Sequence, residues 1–147
     1  MRKKVMAAVL TAAMVASVSA MPQMVAAADD EFKIGLITDV GGVNDGSFNQ
    51  SAWEGLEKAG EELGVEVNYL ESATDADYQP NMETFVDEDY DLIISVGYML
   101  ADATREAAEA NPDTKFAIID DSSIDLPNVT SLMFKAEQAS YLVGYVA

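Results

Sequence analysis

Asp39-Val-Gly-Gly-Val-Asn-Asp-Gly-Ser-Phe-Asn-Gln50 joins the apolar run Phe32-Lys-Ile-Gly-Leu-Ile-Thr38 to the start of an amphipathic segment. The run has the composition of a buried strand. Three glycines, Gly41, Gly42 and Gly46, give the loop backbone angles closed to other residues, and Ser47-Phe-Asn-Gln50 reads as a capping box that starts a helix. A strand-loop-helix corner follows. In an open parallel α/β sheet such a corner lies at the carboxyl edge of the strands, where ligands sit.

Working outward, Phe48, Ala52, Leu56, Ala59 and Leu63 recur at helical spacing, and Gly64 closes that helix. Val65 to Leu70 alternates as a short strand. A helix is expected from about Tyr78 to Asp87, with Pro80 in its first turn, then a buried strand over Asp91-Leu-Ile-Ile-Ser-Val96. Ala101 to Ala110 is an Ala-rich helix closed by Asn111 and Pro112, and Lys115 to Ile119 and Val129 to Phe134 complete the strands. A last helical pattern begins near Glu137 and is still apolar at Ala147 without a stop signal, so the chain is expected to be truncated. Regular alternation of strand and helix implies a parallel sheet with helices on both faces, in the flavodoxin-like order 2-1-3-4-5.

The first residues read differently. Arg2, Lys3 and Lys4 form a basic n-region, Val5 to Val18 an apolar h-region too short for a comfortable membrane span, and Ala26-Ala27-Ala28 fits signal cleavage before Asp29. The organisation expected is a signal peptide over 1-28, an N-terminal α/β lobe over 29-128, and over 129-147 a strand crossing a hinge into the start of a truncated second lobe. With no cysteine, the chain has neither a disulfide nor a lipid-bearing cysteine. The expected location is the periplasm, after export across the inner membrane.

The formal charge is −18, and all 26 acidic residues lie beyond Ala28 with only Lys33, Lys58, Arg105, Lys115 and Lys135 to oppose them. Such a surface repels nucleic acid and anionic lipid; it serves solubility and also suits a neutral or cationic ligand. The glycines do not reproduce G-x-G-x-x-G, and no G-x-x-x-x-G-K-[ST] is present. The third strand ends at Val96-Gly97 without a phospho-receiver's aspartate. The absence of His and Cys removes the usual nucleophile-base pairs and zinc sites, and neither cofactor nor metal is expected.

On the 2-1-3-4-5 order Asp39 ends the first strand, Gly97-Tyr98 the third and Asp120 the fourth, along one edge. Either aspartate alone could be a turn or helix cap. Phe48 fits the core stripe and also a ring at the loop mouth that stacks on a planar ligand. Asn49 can donate and accept together at a heterocycle edge, or face solvent; Asn44 and Asp45 read as turn formers and caps.

The segments Ile34 to Gln50, Asp91 to Gly97, Lys115 to Asp120 and Tyr141-Leu-Val-Gly-Tyr145 resemble the basic membrane protein family of ABC-transporter substrate-binding proteins, typified by the purine nucleoside receptor. The resemblance spans Lys33 to Ala147. It implies a type I periplasmic-binding-protein fold of two α/β lobes closing on a purine nucleoside, with no enzymatic activity. By motif, Asp39, Phe48, Asn49 and Asp120 are the implied ligand-binding residues, Phe48 stacking on the base, and Tyr98 is a further candidate. The implied partners are the nucleoside, an ABC permease and its ATPase, and a monomer is expected. The alternatives are riboflavin or a sugar on the same fold, a ligand-sensing receptor domain, and an exported carbohydrate-active enzyme using two carboxylates. Many family members carry a lipid-bearing cysteine that this chain lacks. The second lobe that the resemblance implies, with its opposing ring and ribose-binding groups, is expected to lie beyond the segments quoted.

Overall fold

A computed structural model describes residues 32–146. The leader expected over 1-28, with its cleavage point, lies outside them. The elements in chain order are β1 (Lys33–Ile37), α1 (Phe48–Leu63), β2 (Glu66–Leu70), α2 (Tyr78–Asp87), β3 (Leu92–Val96), α3 (Ala101–Ala110), β4 (Lys115–Ile119), β5 (Val129–Leu132) and α4 (Ala136–Val146). The strands form one wholly parallel sheet in the order β2-β1-β3-β4-β5. Among the described residues no helix is long and apolar enough to cross a membrane.

The order follows from burial on both faces. β1, flanked by β2 and β3, is an apolar run buried at every position but the first, as a strand covered on both sides must be. Ile34 and Leu36 of β1 face Leu56 of α1, with Val96 beside them. Ile37, Ile93 and Phe116 point the other way, into a larger core with Met82 and Phe85 of α2 and Ala107 and Ala108 of α3. The period-two alternation thus divides each strand between two helical layers.

One strand ends sooner than its composition suggests, and one residue of the expected core stripe lies outside the core. β5 stops at Leu132, which pairs with Ile119, because β4 gives no partner beyond that point: Asp120 turns away with φ 63° after its N–H bonds the Leu132 carbonyl. In α1, Leu63 lies in the terminal turn, where the chain reverses through left-handed Gly64, and is 72% exposed rather than part of the core. No residue of α4 is buried, and Tyr141, Leu142, Val143, Tyr145 and Val146 are exposed.

Gly35 shows how closely α2 approaches the sheet. A Cβ there would stand 2.7 Å from the Phe85 ring. Gly35→Ala should therefore lower unfolding free energy by about 1–3 kcal/mol through overpacking, and adding Phe85→Leu should recover part of that loss. Urea unfolding of the single and double variants checks this; a fully stable Gly35→Ala variant would contradict the close approach.

Candidate functional site

The corner after β1 is held by carboxylates rather than by the expected capping box. Ser47 makes no side-chain cap bond at the start of α1. Asp45 takes that role: its Oδ1 accepts from the backbone N–H of Ser47 (2.8 Å) and Gln50 (3.1 Å), and its Oδ2 from the backbone N–H of Asn49 (3.1 Å). A carboxylate brings two oxygens and a full charge to the positive end of the helix, where one hydroxyl could satisfy a single donor. Gln50 reaches back to the N–H of Gly46 at 3.1 Å, not to that of Ser47.

The glycines of the loop have separate roles. Gly42 and Gly46 have φ of 66° and 65°, the left-handed region that glycine enters without a Cβ penalty. Gly41 is needed for space: a Cβ there would lie 3.0 Å from Asn49 Nδ2 and 3.1 Å from Asp39 Oδ1. Glu71, just past β2, accepts from the Val43 N–H at 2.8 Å and ties the loop to the sheet.

Above β3, Gly97 adopts φ 96° and ψ 156°, a conformation practically confined to glycine. It leads into a single 3₁₀ turn, Tyr98–Leu100, anchored by fully buried Leu100. Buried Thr104 donates to the Leu100 carbonyl at 2.8 Å and receives the Ser95 hydroxyl proton at 2.7 Å, which fixes the turn to β3. Asp120 holds its left-handed conformation at the end of β4, an unusual one for a residue with a side chain.

These features meet in a hollow of about 230 Å³ lined by Asp39, Phe48, Gly97, Tyr98, Met99 and Asp120. Four of the five residues expected from the sequence, Asp39, Phe48, Tyr98 and Asp120, thus share one wall. Larger surface hollows lie elsewhere, for example beside Trp53, Gly60 and Val67 and around Phe32, Asp91 and Lys115. The first lies along α1 and β2 and the second at the amino-terminal ends of the strands; a third, of about 420 Å³ beside Val40, Gly42 and Glu71, joins the carboxyl ends of β1 and β2 but is lined by no aromatic ring.

Asn49 lies elsewhere than expected. It is 2% exposed, and its Nδ2 donates to Asp39 Oδ1 at 2.7 Å and to Asp45 Oδ2 at 3.1 Å. Its Oδ1 is buried and accepts no hydrogen bond from the described residues. The reading of a helix amide facing a heterocycle or solvent misses this because both carboxylates come from the preceding loop. Phe134, beyond β5, meets Phe48 edge-on with centroids 6.0 Å apart; nothing in local sequence signals that contact. Among the described residues no cluster of three metal-ligating side chains occurs.

Residues 32–147 match the Bmp family, described as ABC transporter substrate-binding protein PnrA-like. The chain belongs to this family. It is 50% identical over 122 residues to the CD4+ T-cell-stimulating antigen of Listeria monocytogenes, covering 80% of this chain and 34% of that protein. The ABC transporter nucleoside-binding protein BmpA of Lactococcus lactis is 40% identical over 80% of this chain and 34% of its own length. A crystal structure of an ABC transporter solute-binding protein from Aeropyrum pernix superposes with a TM-score of 0.72 at 32% identity, over 79% of this chain and 32% of that one. The chain spans about a third of the length of the curated relatives it matches. Bmp proteins are substrate-binding components, not a class of enzymes, and are extracytoplasmic.

Desolvation raises the pKa of Asp45, but the backbone N–H groups of Gln50, Ser47 and Asn49, with the Asn49 amide, lower it further, and the net lies below the ordinary 3.8. A depressed carboxyl contributes stability that is present above the unfolded value and lost as pH falls through the folded value. The stability difference between the parent and Asp45→Asn should thus be constant above about pH 5 and shrink below 3.8. Thermal unfolding from pH 6 to pH 2 reads it; a difference independent of pH would contradict the charged cap.

Proposed function

We propose that this chain forms one wall of a nucleoside-binding cleft in the solute-binding component of an ABC importer, with Asp39, Phe48, Asp120 and Tyr98 as ligand contacts. The observation that carries the reading is the convergence of one phenyl ring and two carboxylates on a single hollow at the carboxyl edge of β1, β3 and β4. A phenyl face stacks on a planar base, and carboxylates accept hydrogen bonds from purine N–H groups while repelling a nucleotide's phosphates. The name of the Lactococcus relative supports a nucleoside over other solutes.

The hollow's 230 Å³ falls below the roughly 300–1,000 Å³ of a closed ligand pocket. A second lobe, entered through α4, would supply the opposing wall, and its closure would form the surface that an ABC permease and its ATPase recognise. The exposed apolar side chains of α4 suit a helix that packs against further chain. Residues 29 to 147 by themselves should bind nucleosides weakly, since one wall leaves most of the ligand in water.

Calorimetric titration of the full-length protein with adenosine, guanosine, uridine and riboflavin tests the reading. Purine nucleosides should bind more tightly than the others, and Phe48→Ala should weaken them by about ten- to a hundredfold, as loss of a base-aromatic stack does. Asp39→Asn should weaken them as well. Unchanged purine affinity in both variants, or preference for riboflavin, would overturn it.

A further inference from the structure

We infer that Asp45 is a positioning residue for the ligand site, acting through Asn49 to hold the Asp39 carboxylate in its binding orientation. The inference rests on the nucleoside reading for its functional meaning, and on hydrogen bonds independent of that reading for its geometry.

A free aspartate at a strand end has several side-chain rotamers, and a recognition carboxylate that must first be ordered binds less tightly than one already fixed. Asp39 is fixed from two sides. Its Oδ1 accepts from the Gly41 N–H at 2.9 Å and from Asn49 Nδ2 at 2.7 Å. Both bonds use the same oxygen, and among the described residues no hydrogen bond reaches Oδ2, which lies on the hollow's wall for a ligand to use. Asn49 is fixed in turn by Asp45 Oδ2, which takes its amide at 3.1 Å and its backbone N–H at 3.1 Å. One amide group thus bridges two carboxylates, and Asp45 is anchored to the first turn of α1 by its other oxygen.

Helix capping alone does not account for this arrangement. A cap requires only the backbone donors, which a serine or asparagine at position 45 could also satisfy in part. Burying Asn49 with its Oδ1 unpaired costs stability, and that cost is repaid if the amide's task is to orient Asp39. The small space at Gly41, where a Cβ would crowd both Asn49 Nδ2 and Asp39 Oδ1, belongs to the same arrangement.

Asp45→Asn is the discriminating variant. It keeps one cap acceptor for the N–H groups of Ser47 and Gln50 but turns an NH₂ toward the Asn49 donors, so the chain folds while the bridge breaks. Two measurements on the full-length protein are made below the unfolding transition. In the first, three-bond coupling constants report the Asp39 χ1 rotamer without ligand: one rotamer in the parent, averaging in both Asp45→Asn and Asn49→Ala. In the second, purine nucleoside titration should show about tenfold weaker binding in Asp45→Asn, as for a lost charge-assisted bond, and almost no further loss when Asp45→Asn is added to Asn49→Ala. A merely structural cap would give additive losses. An Asp39 rotamer that stays single in Asp45→Asn, or additive losses in the cycle, would overturn the inference. If the parent binds no nucleoside, the ligand assignment fails while the rotamer measurement still decides the positioning role.

Discussion

The carboxylate of Asp45 at the start of α1 is the interaction on which the geometry of the site depends. It satisfies three backbone donors of the helix and the side-chain amide of Asn49. The loop from Asp39 to Ser47 is therefore closed on itself as well as on the sheet. Phe48, the first residue of α1, takes its place at the hollow from the same fixed helix end. Local hydrogen bonding, helix start and ring placement form one unit, and the Glu71 bond to Val43 ties that unit to β2.

The sheet supplies the other half of the geometry. Parallel pairing of β1 with β3 and of β3 with β4 brings three strand ends into a row, and each ends in an irregular backbone: the glycine corner, Gly97 and left-handed Asp120. Positive-φ backbone at three adjacent strand ends, in a sheet otherwise regular, turns the chain sharply around the hollow, and only at Asp120 is it held by a residue with a side chain. Phe134 extends the row, since the chain leaving β5 passes the edge of the Phe48 ring before α4 begins.

Much of this was legible in the sequence, for identifiable reasons. Buried strands such as Leu92–Val96 are written as unbroken apolar runs, and the alternation of strand and helix restricts the order of a parallel sheet. Asp39 and Asp120 could be placed because strand ends follow from those runs. Asp45 was readable as a turn former and cap, as it is, but its taking the place of Ser47 at the start of α1 was not, since both residue types cap helices and the choice depends on the path of a glycine loop. Asn49 was readable as a helix-start amide but not as a bridge between two carboxylates, and the Phe48 contact with Phe134 joins residues far apart in sequence, beyond the reach of periodicity. Leu63 kept the helical spacing of the stripe but lies where the chain turns away, so spacing and burial diverge.

In the proposed function the ends of β1, β3 and β4 form the ligand-bearing rim. A crystal structure of the full-length protein with a bound purine nucleoside tests it most directly. The base should lie flat on the Phe48 ring at van der Waals distance, about 3.5–4 Å, with N–H groups directed to Asp39 or Asp120. A nucleoside seated beside Trp53 and Gly60, or at the amino-terminal edge near Phe32, with the Phe48 ring untouched, would contradict it.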